Sequence, residues 1–151
     1  MAVEVRTEIV IARPLAVVAA YAGDPTNAPE WYANISSVEW HTPPPVGVGS
    51  RMGFVADFLG RHLTYTYEVT ELVPDVRLVM RTSQGPFPME TTYEWESVEE
   101  DETLMTRMTL TNRGRPSGFV AITTPVLVQA MSRANRKDLA RLKTVLESRQ
   151  A

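Results

Sequence analysis

The sequence contains no cysteine and only two histidines. The first absence excludes a disulfide framework, a thiol nucleophile and any cysteine-ligated zinc or iron–sulfur centre. The second leaves a poor metal signal, because His41 and His62 lie 21 residues apart and neither has a second ligand three or four positions away. No metal site is expected. A basic surplus is lacking too: 15 Lys and Arg oppose 18 Asp and Glu, for a net charge of −3. That is not the electrostatic footprint of a nucleic-acid binder. Apolar stretches fall far short of the roughly 18 residues that cross a bilayer, so stable membrane insertion is not expected. Glu4 and Glu8 stand where a secretory leader would carry a basic and then an apolar segment, which makes a cytoplasmic location the expectation; there the Asn34-Ile35-Ser36 glycosylation acceptor would be silent. The Gly47–Gly53 run has the wrong spacing for a dinucleotide loop and precedes a strand, and no phosphate-loop lysine or Gly-x-Ser-x-Gly elbow is present. No cofactor is expected.

What is there is ordinary globular composition. Over 151 residues, 44% are apolar and 22% charged. A chain of this length fits one domain, residues 1–151, burying roughly 70% of its unfolded surface. Val3, Val5, Thr7, Ile9 and Ile11 alternate with Glu4, Arg6 and Glu8, the period of a strand buried on one face. Arg13-Pro14 ends it, and Leu15 to Ala22 reads as a short helix closed by Gly23. Asp24-Pro25 caps a second short helix that runs through Trp31 and Tyr32.

Six further strands are predicted near 35–42, 50–59, 61–72, 76–83, 88–97 and 103–112. Short turn chemistry separates them: Pro43–Gly47, Gly60, Pro74-Asp75, Gln84-Gly85-Pro86 and the acidic run Glu99–Glu102. Neighbours should therefore pair antiparallel as a meander. Arg115-Pro116-Ser117-Gly118 opens a long helix to about Ser148. Leu127, Met131, Ala134, Leu139, Leu142 and Leu146 recur along one side of it, against Arg133, Arg136, Lys137 and Arg141 on the other. Seven strands with an apolar face and one long element to cover it define an α+β fold, a curved antiparallel sheet gripping the terminal helix. Such a grip can leave a hollow.

Period-two reading groups the side chains that would line that hollow: Met52, Phe54, Ala56 and Phe58; Tyr65, Tyr67 and Val69; Leu78 and Met80; Met89, Thr91, Tyr93 and Trp95. Aromatics and thioethers suit an apolar ligand of irregular shape, and they serve equally as core filling. Leu127 and Met131 face the same space from the helix. Arg107 shares parity with Met105 and Thr109, opposite Met108 and Leu110. Pointing inward, Arg107 would need an acidic partner or an anionic ligand; pointing outward, it is a solvated surface residue. Arg107 and Tyr93 are the candidate catalytic groups, and Met105 joins the candidate ligand contacts. Trp31, Tyr32, Phe87 and Phe119 are placed to frame an entrance.

Several local phrases in this order resemble the START-like superfamily, the helix-grip fold of the birch-pollen allergen and of polyketide cyclase/dehydrase proteins. They are Ile11-Ala12-Arg13-Pro14, Asp24-Pro25 with Pro29-Glu30-Trp31, and Val48-Gly49-Ser50-Arg51. Tyr67-Glu68-Val69-Thr70-Glu71 with Pro74 and Arg77-Leu78 follows, then Leu139–Lys143 with Leu146-Glu147. The resemblance spans essentially the whole chain. It implies a deep apolar cavity between sheet and long helix that takes lipids, sterols, polyketides or similar molecules, and it carries no catalytic motif onto these residues. Three functions stay open: binding or transport of a small hydrophobic molecule, a polyketide cyclase or dehydratase acting on a ligand held in the same cavity, and a protein-interaction module with a filled core. A monomer or homodimer is expected.

Overall fold

In the computed structural model the described residues are 3–58, 60–84, 88–115 and 124–149. Strand β1 (Val3–Ile11) buries Val3, Val5 and Thr7 and exposes Glu4, Arg6 and Glu8, as its alternation requires. Helix α1 (Leu15–Ala22) follows. It ends at Gly23, where a side chain would have no room: a Cβ there would lie 2.7 Å from the Ala19 carbonyl oxygen and 3.4 Å from the Trp95 ring.

The second short helix is broken in two. Asp24 accepts a hydrogen bond from the Thr26 amide at 3.0 Å and caps a single 3₁₀ turn, Pro25–Asn27. Helix α2 (Ala28–Trp31) then starts afresh, with Tyr32 just beyond it. Pro29 is the cause, since a continuous helix would need its missing N–H to reach the Pro25 carbonyl.

Strands β2 (Ile35–Trp40), β3 (Arg51–Phe58), β4 (Arg61–Val73), β5 (Arg77–Gln84), β6 (Met89–Glu100) and β7 (Thr103–Gly114) form the meander. All neighbours pair antiparallel, and the sheet order β1-β7-β6-β5-β4-β3-β2 brings the first strand back beside the last. The β6–β7 hairpin is longer than the acidic run implied. Asp101 and Glu102 both have positive φ, which gives the twist of a two-residue hairpin turn, so Glu99 and Glu100 remain paired strand residues.

Helix α3 (Thr124–Ser148) covers the concave face. The stretch from Pro116 to Thr123, where the sequence opens this helix, lies outside the described residues. Its carboxyl-terminal half is strapped to the sheet: Lys143 Nζ donates to the Val10 carbonyl at 2.8 Å, Arg13 to the Leu146 carbonyl at 2.8 Å, and the Ala12 amide to Glu147 at 2.8 Å. The result is a helix-grip architecture, a curved antiparallel sheet closed over by one long terminal helix.

The parity of β7 resolves the orientation of Arg107. Met108 and Leu110 are fully buried on the concave face. Arg107 therefore faces the convex side, where it donates to Glu96, its cross-strand partner, at 2.7 Å. Met105 shares that outer face, opposite Val98. Neither residue reaches the concave interior, because no bulge interrupts the β6–β7 register.

Candidate functional site

The space between sheet and α3 is filled at one end and open at the other. At the filled end Leu139, Leu142 and Leu146 meet Ile11, Val18, Trp31, Met52, Val69, Leu78, Trp95 and Met108, all between 0 and 5% exposed. At the other end lies a cavity of about 150 Å³. The difference starts in the helix sequence. Its inward stripe runs Leu127, Met131, then the half-buried Ala134 and the buried Asn135 and Asp138 before the leucines resume. Alanine is too short to reach the sheet, and asparagine and aspartate carry polar tips that pack poorly against apolar walls.

Strands β3 to β7 supply the facing wall. Phe54 and Ala56 on β3, Tyr65 and Tyr67 on β4, Met80 on β5, Met89, Thr91 and Tyr93 on β6 and Asn112 on β7 line the opening, with Met131 across from them and Tyr32, Asn34 and Ile35 at its side. The rings are set edge to face or tilted: Phe54 and Tyr67 have centroids 5.6 Å apart at 75°, and Tyr65 and Tyr67 are 6.0 Å apart at 40°.

Two polar groupings interrupt the apolar lining. In the first, Asn135 donates through Nδ2 to Asn112 Oδ1 at 2.6 Å, and Asn112 donates to Thr91 Oγ1 at 3.0 Å. The Thr91 hydroxyl in turn hydrogen-bonds the Tyr67 phenol. All four residues are buried, so each bond spares a polar group the cost of dehydration without a partner, about 1–3 kcal/mol apiece. In the second grouping, the hydroxyls of Tyr32 and Tyr93 lie 2.6 Å apart. Beside them Asp138, 3% exposed, accepts the Ala33 amide on Oδ1 at 3.0 Å.

Burial dominates the proton affinities here. It pushes the Asp138 carboxyl up to about 6, although the Ala33 amide, Arg141 and Lys137 pull the other way. It also holds the phenols of Tyr32, Tyr93 and Tyr65 well above their ordinary range. The tyrosines therefore stay neutral near pH 7, while Asp138 changes charge just below it. Among the described residues no Lys, Arg or His side chain lines the cavity, and no group of acids and histidines is arranged to hold a metal.

Of the side chains singled out in the sequence, the fold brings Tyr32, Phe54, Tyr65, Tyr67, Met80, Met89, Thr91, Tyr93 and Met131 together around the cavity. It takes others elsewhere. Trp31, expected at an entrance, is 0% exposed and packs against Tyr32 and Tyr93 at centroid distances of 4.1 and 5.9 Å. Met52 and Trp95 belong to the filled end. Leu127 packs in a second cluster with Val3 and Val5, because β1 sits at the sheet edge beneath that turn of α3. Arg107 and Met105 are on the convex face. The Phe58 side chain, Phe87 and Phe119 lie outside the described residues.

Sequence reasoning missed Asn34 and Ile35 at the side of the cavity and the buried polar residues Asn112, Asn135 and Asp138. The signal for the last three was present. Asn135 is four positions after Met131 and four before Leu139, and Asp138 is four before Leu142, so both fall on the buried stripe. Asn112 continues the inward parity of Met108 and Leu110.

A curved seven-stranded sheet, a terminal helix and a cavity between them define the START-like class. Within it, the chain belongs to the family described as polyketide cyclase/dehydrase and lipid transport, which matches residues 2–147. Among solved structures it resembles a START superfamily protein from Mycobacterium smegmatis, with a TM-score of 0.81 at 13% identity over 96% of this chain and 97% of that one. It also resembles the Zhui aromatase/cyclase from a Streptomyces species, with a TM-score of 0.79 at 18% identity over 99% and 96%. A ginseng (Panax ginseng) major latex-like protein aligns with a TM-score of 0.68 at 12% identity over 93% and 98%. At these identities the likeness is one of fold. No curated protein matches the sequence. No helix among the described residues is long and apolar enough to cross a membrane.

Proposed function

We propose that this chain binds a small hydrophobic molecule in the cavity between the sheet and α3. One observation carries the reading: the Ala134–Asp138 segment of the helix leaves about 150 Å³ unfilled against a wall of aromatics and methionines. A void of roughly that size in a protein interior holds a benzene-sized molecule. Larger guests need the lining to yield, which the unbranched side chains of Met80, Met89 and Met131 allow. The family description supports the reading by including lipid transport. A protein acting only as an interaction module would gain stability by filling this space with leucine.

The test is to fill it. Ala134→Phe should abolish uptake of a hydrophobic fluorescent probe, or weaken it at least tenfold, while leaving the thermal midpoint equal or higher. Unchanged uptake by a folded variant would place the binding elsewhere. Native mass spectrometry of freshly purified protein is the companion measurement, with a retained small molecule expected in the parent and not in the variant.

A second reading, cyclisation or dehydration of the bound molecule, draws on the adjacency of Asp138 to the Tyr32–Tyr93 pair. A carboxyl that titrates near neutrality and two neutral phenols in a secluded cavity are the parts of general acid–base chemistry. Orientation of a flexible chain by the walls would supply the remainder. In this reading Asp138→Asn abolishes turnover in a protein that still takes up ligand; full turnover by that variant would leave carriage as the function.

A further inference from the structure

The cavity is lopsided in charge. Its polar contacts come from neutral amides and hydroxyls, and among the described residues its single carboxyl group is Asp138, with no cation lining it. Lys137 and Arg133 lie nearby, but they border an outer groove that meets the cavity at Asn34, Ala134 and Asp138. A ligand entering from that groove would pass Arg133, Lys137 and Asp138 before it reached a lining whose described residues include no cation.

We propose that Asp138 makes the cavity selective for uncharged ligands bearing a hydrogen-bond donor, such as phenols and hydroxy-aromatics, and excludes carboxylates of the same shape. The inference rests on the ligand-binding reading and names the chemical class it would take. Asp138 Oδ1 takes the Ala33 amide, but a carboxylate offers roughly four acceptor positions, so one amide leaves capacity for a ligand hydroxyl. A donor to an ionised carboxylate forms a bond roughly twice as strong as a neutral one. An anionic guest meets the opposite balance. It must shed its own water, finds no cation among the described residues of the lining, and lies against a like charge in a medium that screens it weakly. With its ionisation falling near pH 6, Asp138 is charged at pH 7.5.

The experiment compares three bicyclic probes of matched shape, 2-naphthol, 2-naphthoate and naphthalene, by calorimetry at pH 7.5. Methyl NMR of Met80 and Met131 reports whether each probe enters the cavity. The expected result is 2-naphthol bound at least ~10-fold more tightly than 2-naphthoate, with naphthalene between them. In Asp138→Asn, which keeps an acceptor for Ala33, naphthoate should gain affinity and the ratio should approach one. Equal binding of naphthol and naphthoate by the parent, or a ratio unmoved in the variant, would overturn the selectivity while leaving the cavity reading intact. No methyl perturbation by any of the three, naphthalene included, would overturn both.

Discussion

The two halves of α3 face the same sheet and do different work. From Leu139 to Leu146 the buried stripe is leucine, the sheet opposite is Leu78, Trp95 and Met108, and side-chain hydrogen bonds strap the helix to β1. From Met131 to Asp138 the stripe includes alanine and polar residues, the sheet opposite is Tyr67, Thr91 and Asn112, and space remains. The helix runs unbroken through both halves, and the contrast follows the side chains it presents to the sheet. One half stabilises the fold. The other half gives up apolar contact in exchange for a chamber with a few fixed polar groups, and its stability depends on hydrogen bonds and on protonation.

That contrast can be broken most severely at the filled end. Leu142 is fully buried, and Leu142→Ala should destabilise the protein by about 2–5 kcal/mol through lost transfer energy and the cavity left behind. Chemical denaturation measures this. Ligand affinity should hold, because the packed half does not line the chamber; a large fall in affinity with the fold intact would mean the two halves are not separable.

The next effect belongs to the open half and depends on pH. Asp138 holds its proton more tightly in the folded protein than in the unfolded chain, since burial raises its pKa from the ordinary 3.8 to about 6. The folded state therefore binds more protons between those values, and stability declines as pH rises through about 4 to 6, with the full cost present above that window. A shift of this size corresponds to roughly 3 kcal/mol. Asp138→Asn should be more stable than the parent at pH 8, by up to that amount, and close to it near pH 4. Parallel pH–stability curves for parent and variant would show that Asp138 is not the buried acid described.

The smallest effect is expected on the convex face. Arg107 and Glu96 form a half-exposed ion pair, and such pairs contribute about 0–1 kcal/mol. Arg107→Ala should therefore shift the denaturation midpoint little and leave probe binding unchanged. A lost ligand affinity would return Arg107 to the interior.

Much of this was legible beforehand, for a definite reason. Period-two alternation in Val3–Ile11 and the short turns at Gly60 and Pro74-Asp75 reflect local chemistry, so the strands and their antiparallel order could be read directly. Eight cavity residues, Tyr65, Tyr67 and Thr91 among them, followed from the same parity, and Met131 from the spacing along the helix. What parity could not assign was position along the strand. Met52 and Phe54 share a face, yet only Phe54 reaches the chamber, because depth depends on where the helix residue opposite is leucine or alanine. Asn135 and Asp138 escaped because polarity usually marks a solvated face, and their place on the buried stripe outweighed it. Arg107 needed the unbroken β6–β7 register to settle its side.

The most direct measurement is a crystal structure of the protein soaked with 2-naphthol. Electron density for the ring between Tyr67, Met80 and Met131, its hydroxyl turned to Asp138, is the predicted result. A ring found only on the outer surface, with the chamber between α3 and the sheet still empty, would contradict the account.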